Sequence, residues 1–207
     1  MDLVVCKETE EVADFANQWV ARQVATGGLK SLYLPAGATP EALYALWRKT
    51  RPEYLQALQF VQIDDVLTGK KAGCFRDFFK EQMQPWQKQM SWLERGDQQA
   101  DAAILGLGLN GHVAFHEPGL PRTFFSGCVR LTDSTCERLD LTPNTWGISY
   151  GLAAFLKCRE ILMIATGPSK REIVQQLLNK APALPATMLH QHPKFTLLVD
   201  HKSSAKN

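Results

Sequence analysis

The 207-residue sequence predicts an α/β fold, a mainly parallel sheet with helices on both faces in a single domain. Three observations carry that expectation. Short apolar runs recur along the chain, and amphipathic stretches with helical spacing lie between them. Runs that are apolar throughout suit strands buried on both faces, as in parallel sheets. No linker, repeat or low-complexity segment interrupts the alternation, and the length suffices for one sizeable core.

The elements follow in order. LVVC (3–6) reads as a strand. Thr9 then caps a helix whose Val12, Phe15, Ala16, Trp19 and Val20 share one face, and Gly27 and Gly28 end it. LYLPAG (32–37) reads as a strand and a turn. Thr39 and Pro40 open the next helix, with Pro40 at the first helical position, where its missing N–H costs nothing. FVQI (60–63) is a third strand and FRDFFKEQM (75–83) a helix, and AAILGLG (102–108) is a fourth strand. After an irregular polar stretch come a helix near 148–156, a strand ILMIAT (161–166), a helix over 169–178 and a closing strand FTLLVD (195–200). HKSSAKN reads as a frayed polar tail, which places the domain at 1–200 and the tail at 201–207.

Composition excludes several classes. The chain is 45% hydrophobic and 21% charged, with a net charge of +2 and no block of like charge, so no nucleic-acid partner is expected. No apolar run approaches the roughly 20 residues of a membrane span, and no basic segment followed by an apolar one opens the chain. The five cysteines are widely spaced with no Cys-x-x-Cys pair, which suits buried thiols in a reduced cytoplasm.

Parallel sheets bind ligands outside the carboxyl ends of their strands. Four loops there are polar or glycine-rich. In PAGATP, Gly37, Ala38 and Thr39 lead into a helix N-terminus, whose free N–H groups and dipole suit a phosphate. The plain alternative is a threonine cap. ATGPSK has the same design, and Lys170 in the first turn opposes the helix dipole unless an anion sits there too. In QIDDV, Asp64 and Asp65 follow a strand and point to opposite sides. One of them could take a proton from carbon, or both could serve a turn or cap.

The fourth loop is GLGLNGHVAFHEPG (106–119). Gly106, Gly108 and Gly111 match a dinucleotide fingerprint, but Pro118 leaves too little helix after them. His112 and His116 have the spacing of two metal ligands, but the carboxylate of Glu117 lies outside the pair and Pro118 again opposes a helix. The third reading is acid–base chemistry, in which His112 exchanges protons while Glu117 or Asn110 sets its tautomer. Against it stands a core histidine in an irregular loop.

LGLGLNGHVAFHEPG closely resembles the signature of the glucosamine-6-phosphate deaminases, also called isomerases. LPAGATPEALY resembles the family's phosphate loop, QIDDVLTG its strand end, ATGPSK its later lysine loop and LHQHPKFTLLVD its closing strand. The resemblance implies a Rossmann-like fold and a cofactor-free, metal-free conversion of glucosamine 6-phosphate to fructose 6-phosphate and ammonia. Carried over by position, Asp64 is the base acting between carbons 2 and 1. His112, supported by Asn110 and Glu117, assists ring opening. Gly37, Ala38, Thr39 and Lys170 line the phosphate site, and Arg138 matches the family's phosphate arginine across a gap. The partner is a small sugar phosphate, and homo-oligomer formation is left open.

Some positions depart from that pattern. Asn110 stands where part of the family has aspartate, Asp65 replaces glutamate, Val66 replaces tyrosine, and His116 replaces asparagine. His116 is expected beside the site, where it would alter specificity. Residues 120–144 match the family's lid poorly. Three alternatives accompany the main expectation. A galactosamine-6-phosphate deaminase needs only a changed sugar pocket. A 6-phosphogluconolactonase-type hydrolase shares the fold but lacks the Glu117-Pro118 ending. A non-catalytic sugar-phosphate sensor is disfavoured by Asp64, His112 and Glu117, and by a chain that opens on its first strand without a helix-turn-helix.

Overall fold

The computed structural model describes residues 1–93 and 97–204. Strand β1 (Asp2–Cys6) leads through helix α1 (Thr9–Ala25) to β2 (Ser31–Leu34), and α2 (Ala38–Thr50) leads to β3 (Gln59–Gln62) and the short β4 (Asp64–Val66). Helix α3 (Cys74–Gln82), β5 (Met90–Ser91) and β6 (Ala102–Gly106) follow. Next come β7 (Ser126–Arg130), α4 (Asp133–Arg138), β8 (Trp146–Tyr150) and α5 (Leu152–Phe155). The chain ends with β9 (Glu160–Ala165), α6 (Arg171–Leu178), β10 (Phe195–Asp200) and α7 (His201–Ser204).

Seven strands form one parallel sheet in the order β1-β10-β9-β6-β2-β3-β5. From β2 the chain runs outward through β3 to β5. It then returns to the other side of β2 as β6 and continues outward to β9 and β10. The direction reverses between β2 and β6, so the loops leaving those two strands diverge and open a crevice.

Alternation along each strand divides the core. Leu32, Leu34, Phe60 and Ile104 pack against Trp19 of α1, Trp47 of α2 and Phe79 of α3. Tyr33, Val61, Leu105 and Met163 point the other way, against Phe155 of α5 and Leu177 of α6. The predicted α/β architecture with helices on both faces is the one observed. Each fully buried side chain of this size contributes about 1.5–3 kcal/mol.

A second, three-stranded antiparallel sheet, β4-β8-β7, meets the cavity through Asp64 of β4 and was not legible in the sequence. It replaces part of the helix expected near 148–156. Ile148, Leu152 and Phe155 have helical spacing, but residues 146–150 pair with β4 and β7, and only 152–155 are helical. The changeover falls at Gly151, where a Cβ would lie 2.4 Å from the Phe124 carbonyl oxygen.

Three smaller expectations also change. Thr9 lies within α1 rather than capping it; Glu8 holds the cap position, and Glu11 reaches back to accept from the Lys7 N–H at 2.8 Å. Helix α2 begins at Ala38, which makes Pro40 its third residue, still among the positions without an intrahelical N–H partner. Residues 201–204 are helical, not frayed. The Ser203 hydroxyl is buried and donates to the Ala165 carbonyl at 2.8 Å. Among the described residues, no helix is long and apolar enough to cross a membrane.

Candidate active site

Two strand-end loops of matching geometry form the floor of the crevice. Gly37 follows β2 with φ 91° and ψ −175°, and Gly167 follows β9 with φ 89° and ψ 159°. That region is essentially closed to residues with a side chain. Each glycine turns the chain into a helical N-terminus, α2 in one case and a 3-10 turn at Pro168–Lys170 in the other. The second loop is tied down by Asp200, whose carboxylate accepts from Gly167 N at 3.0 Å and from Ser203 N at 2.9 Å.

The paired aspartates separate as expected. Asp65 is a structural carboxylate. It accepts from Val66 N at 2.8 Å, from Phe75 N and Arg76 N in the first turn of α3 at 3.1 and 3.3 Å, and from the Gln62 amide at 3.1 Å. Asp64 faces the crevice, and its Oδ1 is buried with no hydrogen-bond partner. Burial first, then the neighbouring Asp65 charge, pushes the Asp64 carboxyl up to about 8, against the opposing pull of Arg138.

His112 is held by a tight turn after β6. Gly111 N donates to Gly108 O at 3.0 Å, and Gly108 N to His112 O at 2.9 Å. The imidazole lies flat on Gly108, where a Cβ would come within 2.4 Å of three ring atoms. Asn110 Nδ2 donates to Glu117 Oε2 at 3.0 Å, which turns its Oδ1 toward His112 Nδ1 at 2.6 Å. Glu117 Oε1 accepts a further bond from Thr135 Oγ1 at 2.6 Å.

On the other side of the ring, Arg138 Nη2 lies 3.2 Å from His112 Nε2. A guanidinium only donates, so Nε2 carries the lone pair and Nδ1 the proton. Burial pushes the His112 imidazole down to about 4; Glu117 opposes that shift, and Arg138 and Lys170 add to it. The ring is therefore neutral at physiological pH, with its basic nitrogen toward the crevice. Lys170 Nζ donates to the Leu107 carbonyl at 2.5 Å, and burial followed by Arg138 lowers it to about 8.

One cavity of about 310 Å³ gathers Gly37, Ala38, Thr39, Asp64, His112, Arg138 and Lys170. Asn110 and Glu117 do not line it and stand behind the imidazole. His116 is not beside the site either. It is fully buried, its Nδ1 accepts from Leu152 N at 3.2 Å, and its ring meets Phe124 edge-on. The bridge between Val113 and His116 closes a turn, so the two histidines do not share a helix face. Among the described residues no group of three or more His, Cys, Asp or Glu could hold a metal ion. Thr135 was missed because a threonine among polar residues in a poorly patterned segment carries no local signal.

The family of glucosamine-6-phosphate isomerases/6-phosphogluconolactonase matches residues 66–198, which is more than half of the chain. The chain belongs to this family. Within the glucosamine-6-phosphate isomerase/6-phosphogluconolactonase family, a glucosamine-6-phosphate deaminase of Bacillus thuringiensis (strain Al Hakam) is 29% identical over 98% of this chain and 88% of its own. A deaminase of Bacillus cereus (strain AH820) matches to the same degree. Among solved structures, a monomeric glucosamine-6-phosphate deaminase superposes with a TM-score of 0.83 at 23% identity, over 99% of both chains. The 6-phosphogluconolactonase of Trypanosoma brucei superposes at 0.80 with 16% identity, over 98% of this chain and 97% of its own. Both structural likenesses are to the fold.

Proposed function

We propose that the protein converts glucosamine 6-phosphate to fructose 6-phosphate and ammonia. The observation that carries this reading is a buried carboxylate, Asp64, whose Oδ1 has no hydrogen-bond partner, and an unprotonated imidazole nitrogen, His112 Nε2, in one cavity with two cations and two glycine-capped helical starts. The backbone N–H groups after Gly37, with Lys170 and Arg138, hold the phosphate. The neutral His112 takes the proton from the anomeric hydroxyl and returns it to the ring oxygen, which opens the sugar. The Nδ1–H bond to Asn110, backed by Glu117, steadies the imidazolium that forms in passing.

Asp64 then removes the proton from carbon 2 of the open-chain amino aldose and delivers it to carbon 1. Carbon 2 rises to the imine level as carbon 1 falls from aldehyde to alcohol, and the amine gives up one N–H proton as the carbon 1 oxygen gains one, so no external oxidant or reductant is required. Water adds to the imine and expels ammonia, leaving the ketose phosphate. A base of raised pKa suits abstraction from carbon, because proton-transfer power grows with basicity.

The lactonase fold likeness keeps hydrolysis as the competing reading, and galactosamine 6-phosphate is the competing sugar. An ammonia-release assay with both amino sugars, beside a hydrolysis assay with 6-phosphogluconolactone, separates the three. Ammonia from glucosamine 6-phosphate is expected. Lactone hydrolysis with no ammonia from either amino sugar would overturn the proposal.

A further inference from the structure

Arg138 occupies an odd position for a phosphate ligand. Its guanidinium donates to a neutral imidazole, a weak acceptor, and among the described residues it forms no ion pair with a carboxylate. The acceptor it covers, His112 Nε2, is the nitrogen that must receive a proton from the sugar. Arg138 also sits at the last turn of α4, three residues from Thr135, which holds Glu117 and thereby the far side of the same ring. One short helix grips His112 from both nitrogens.

We propose that Arg138, through its contact with His112 Nε2, masks the basic nitrogen of the ring and that a phosphate unmasks it by drawing the guanidinium away. This rests on the function proposed above for the identity of the substrate, although the exchange itself needs only a phosphate. The direction follows from bond strength. Arginine bonds to phosphate oxygens are charge-assisted and bidentate, whereas the bond to the imidazole is neither. Lys170, in the same cavity, supplies a second cation that draws the anion to the place Arg138 can reach. The ring does not follow Arg138 when it leaves, because Asn110, Glu117 and Thr135 hold its other side and Gly108 lies flat against it. Phosphate binding thus becomes a condition for ring opening, beyond its contribution to affinity.

The test uses the full chain with inorganic phosphate as the probe, so it does not depend on turnover. Long-range proton–nitrogen spectra of the histidine rings distinguish a hydrogen-bonded bare nitrogen from a free one, and phosphorus spectra report occupancy. In the wild type, saturating phosphate is expected to shift His112 Nε2 toward its position in phosphate-free Arg138→Ala. In Arg138→Ala itself, phosphate held by Lys170 and the loops should move that resonance at least threefold less. Arg138→Gln, which keeps most of the bulk, serves as a second variant if the alanine protein folds poorly.

An equal shift in wild type and variant would assign the change to the phosphate charge and overturn the mask. No shift in wild type with phosphate bound, or no phosphate bound at all, would overturn it too. The ammonia assay is read separately. An unmasking shift in a protein that releases no ammonia leaves the mask standing and removes the deaminase reading.

Discussion

Replacing Asp64 with asparagine should affect activity and stability in opposite directions. An Asp64 carboxyl near pH 8 is about one tenth ionised at pH 7 and about one hundredth at pH 6. If it must be ionised to take the carbon-bound proton, wild-type kcat/KM rises about tenfold per pH unit from pH 6 to 7 and levels near 8. The Asp64→Asn variant should lose roughly 10²–10⁴-fold in kcat.

Stability follows from the same shift. The folded carboxyl keeps its proton to about pH 8, whereas the unfolded chain releases it near the ordinary value of 3.8. Its contribution is therefore fully present below about pH 4 and is lost as pH rises through 8. The loss is at most about 1.4 kcal/mol per pH unit, or about 4 kcal/mol between pH 5 and pH 8. Asparagine has no such term. Urea unfolding at the two pH values should therefore show the variant gaining on the wild type as pH rises. A wild-type kcat/KM that is flat from pH 6 to 8, or unfolding curves that respond alike to pH in both proteins, would refute the assignment of Asp64 as a buried base.

Three further outcomes are expected. Lys170 loses its charge above about pH 8, so wild-type kcat/KM should fall again on that side, and Lys170→Ala should raise KM and abolish this alkaline limb. Gly108→Ala puts a methyl group where the imidazole lies, so kcat should collapse while circular dichroism and the cooperative unfolding transition persist. Thr135→Val removes a hydrogen bond to a buried carboxylate, worth about 1.5–3 kcal/mol, or roughly 10–100-fold if it is expressed in kcat. Thr135→Ser should restore most of that loss, which a packing defect alone would not allow.

Much of this arrangement was legible in the sequence because parallel strands leave a strong local mark. Strands such as Phe195–Asp200 carry a mostly apolar run, Leu197 to Val199 above all, and their ends are where ligand loops must lie. Strand alternation predicted that only one of Asp64 and Asp65 would face the site, and the resemblance singled out Asp64. The antiparallel sheet was not legible. Its strand Ser126–Arg130 has mixed exposure and little apolar content, and Trp146–Tyr150 adjoins residues whose spacing imitates a helix. His116 misled for a related reason. Its neighbour in sequence is Glu117, but a turn sends the two side chains to different surroundings.

The adjacent aspartates have one more consequence. Asp65 is held in place by the first turn of α3, and burial first, then the neighbouring Asp65 charge, makes Asp64 a stronger base. Strength and availability are opposed in such a base: each rise in basicity speeds the proton transfer of an ionised molecule and thins the ionised population. Burial of Asp64 and the helix start that fixes Asp65 beside it together set where this enzyme stands between those two demands. A change at Asp65, which does not touch the cavity, would retune the catalyst toward a different working pH.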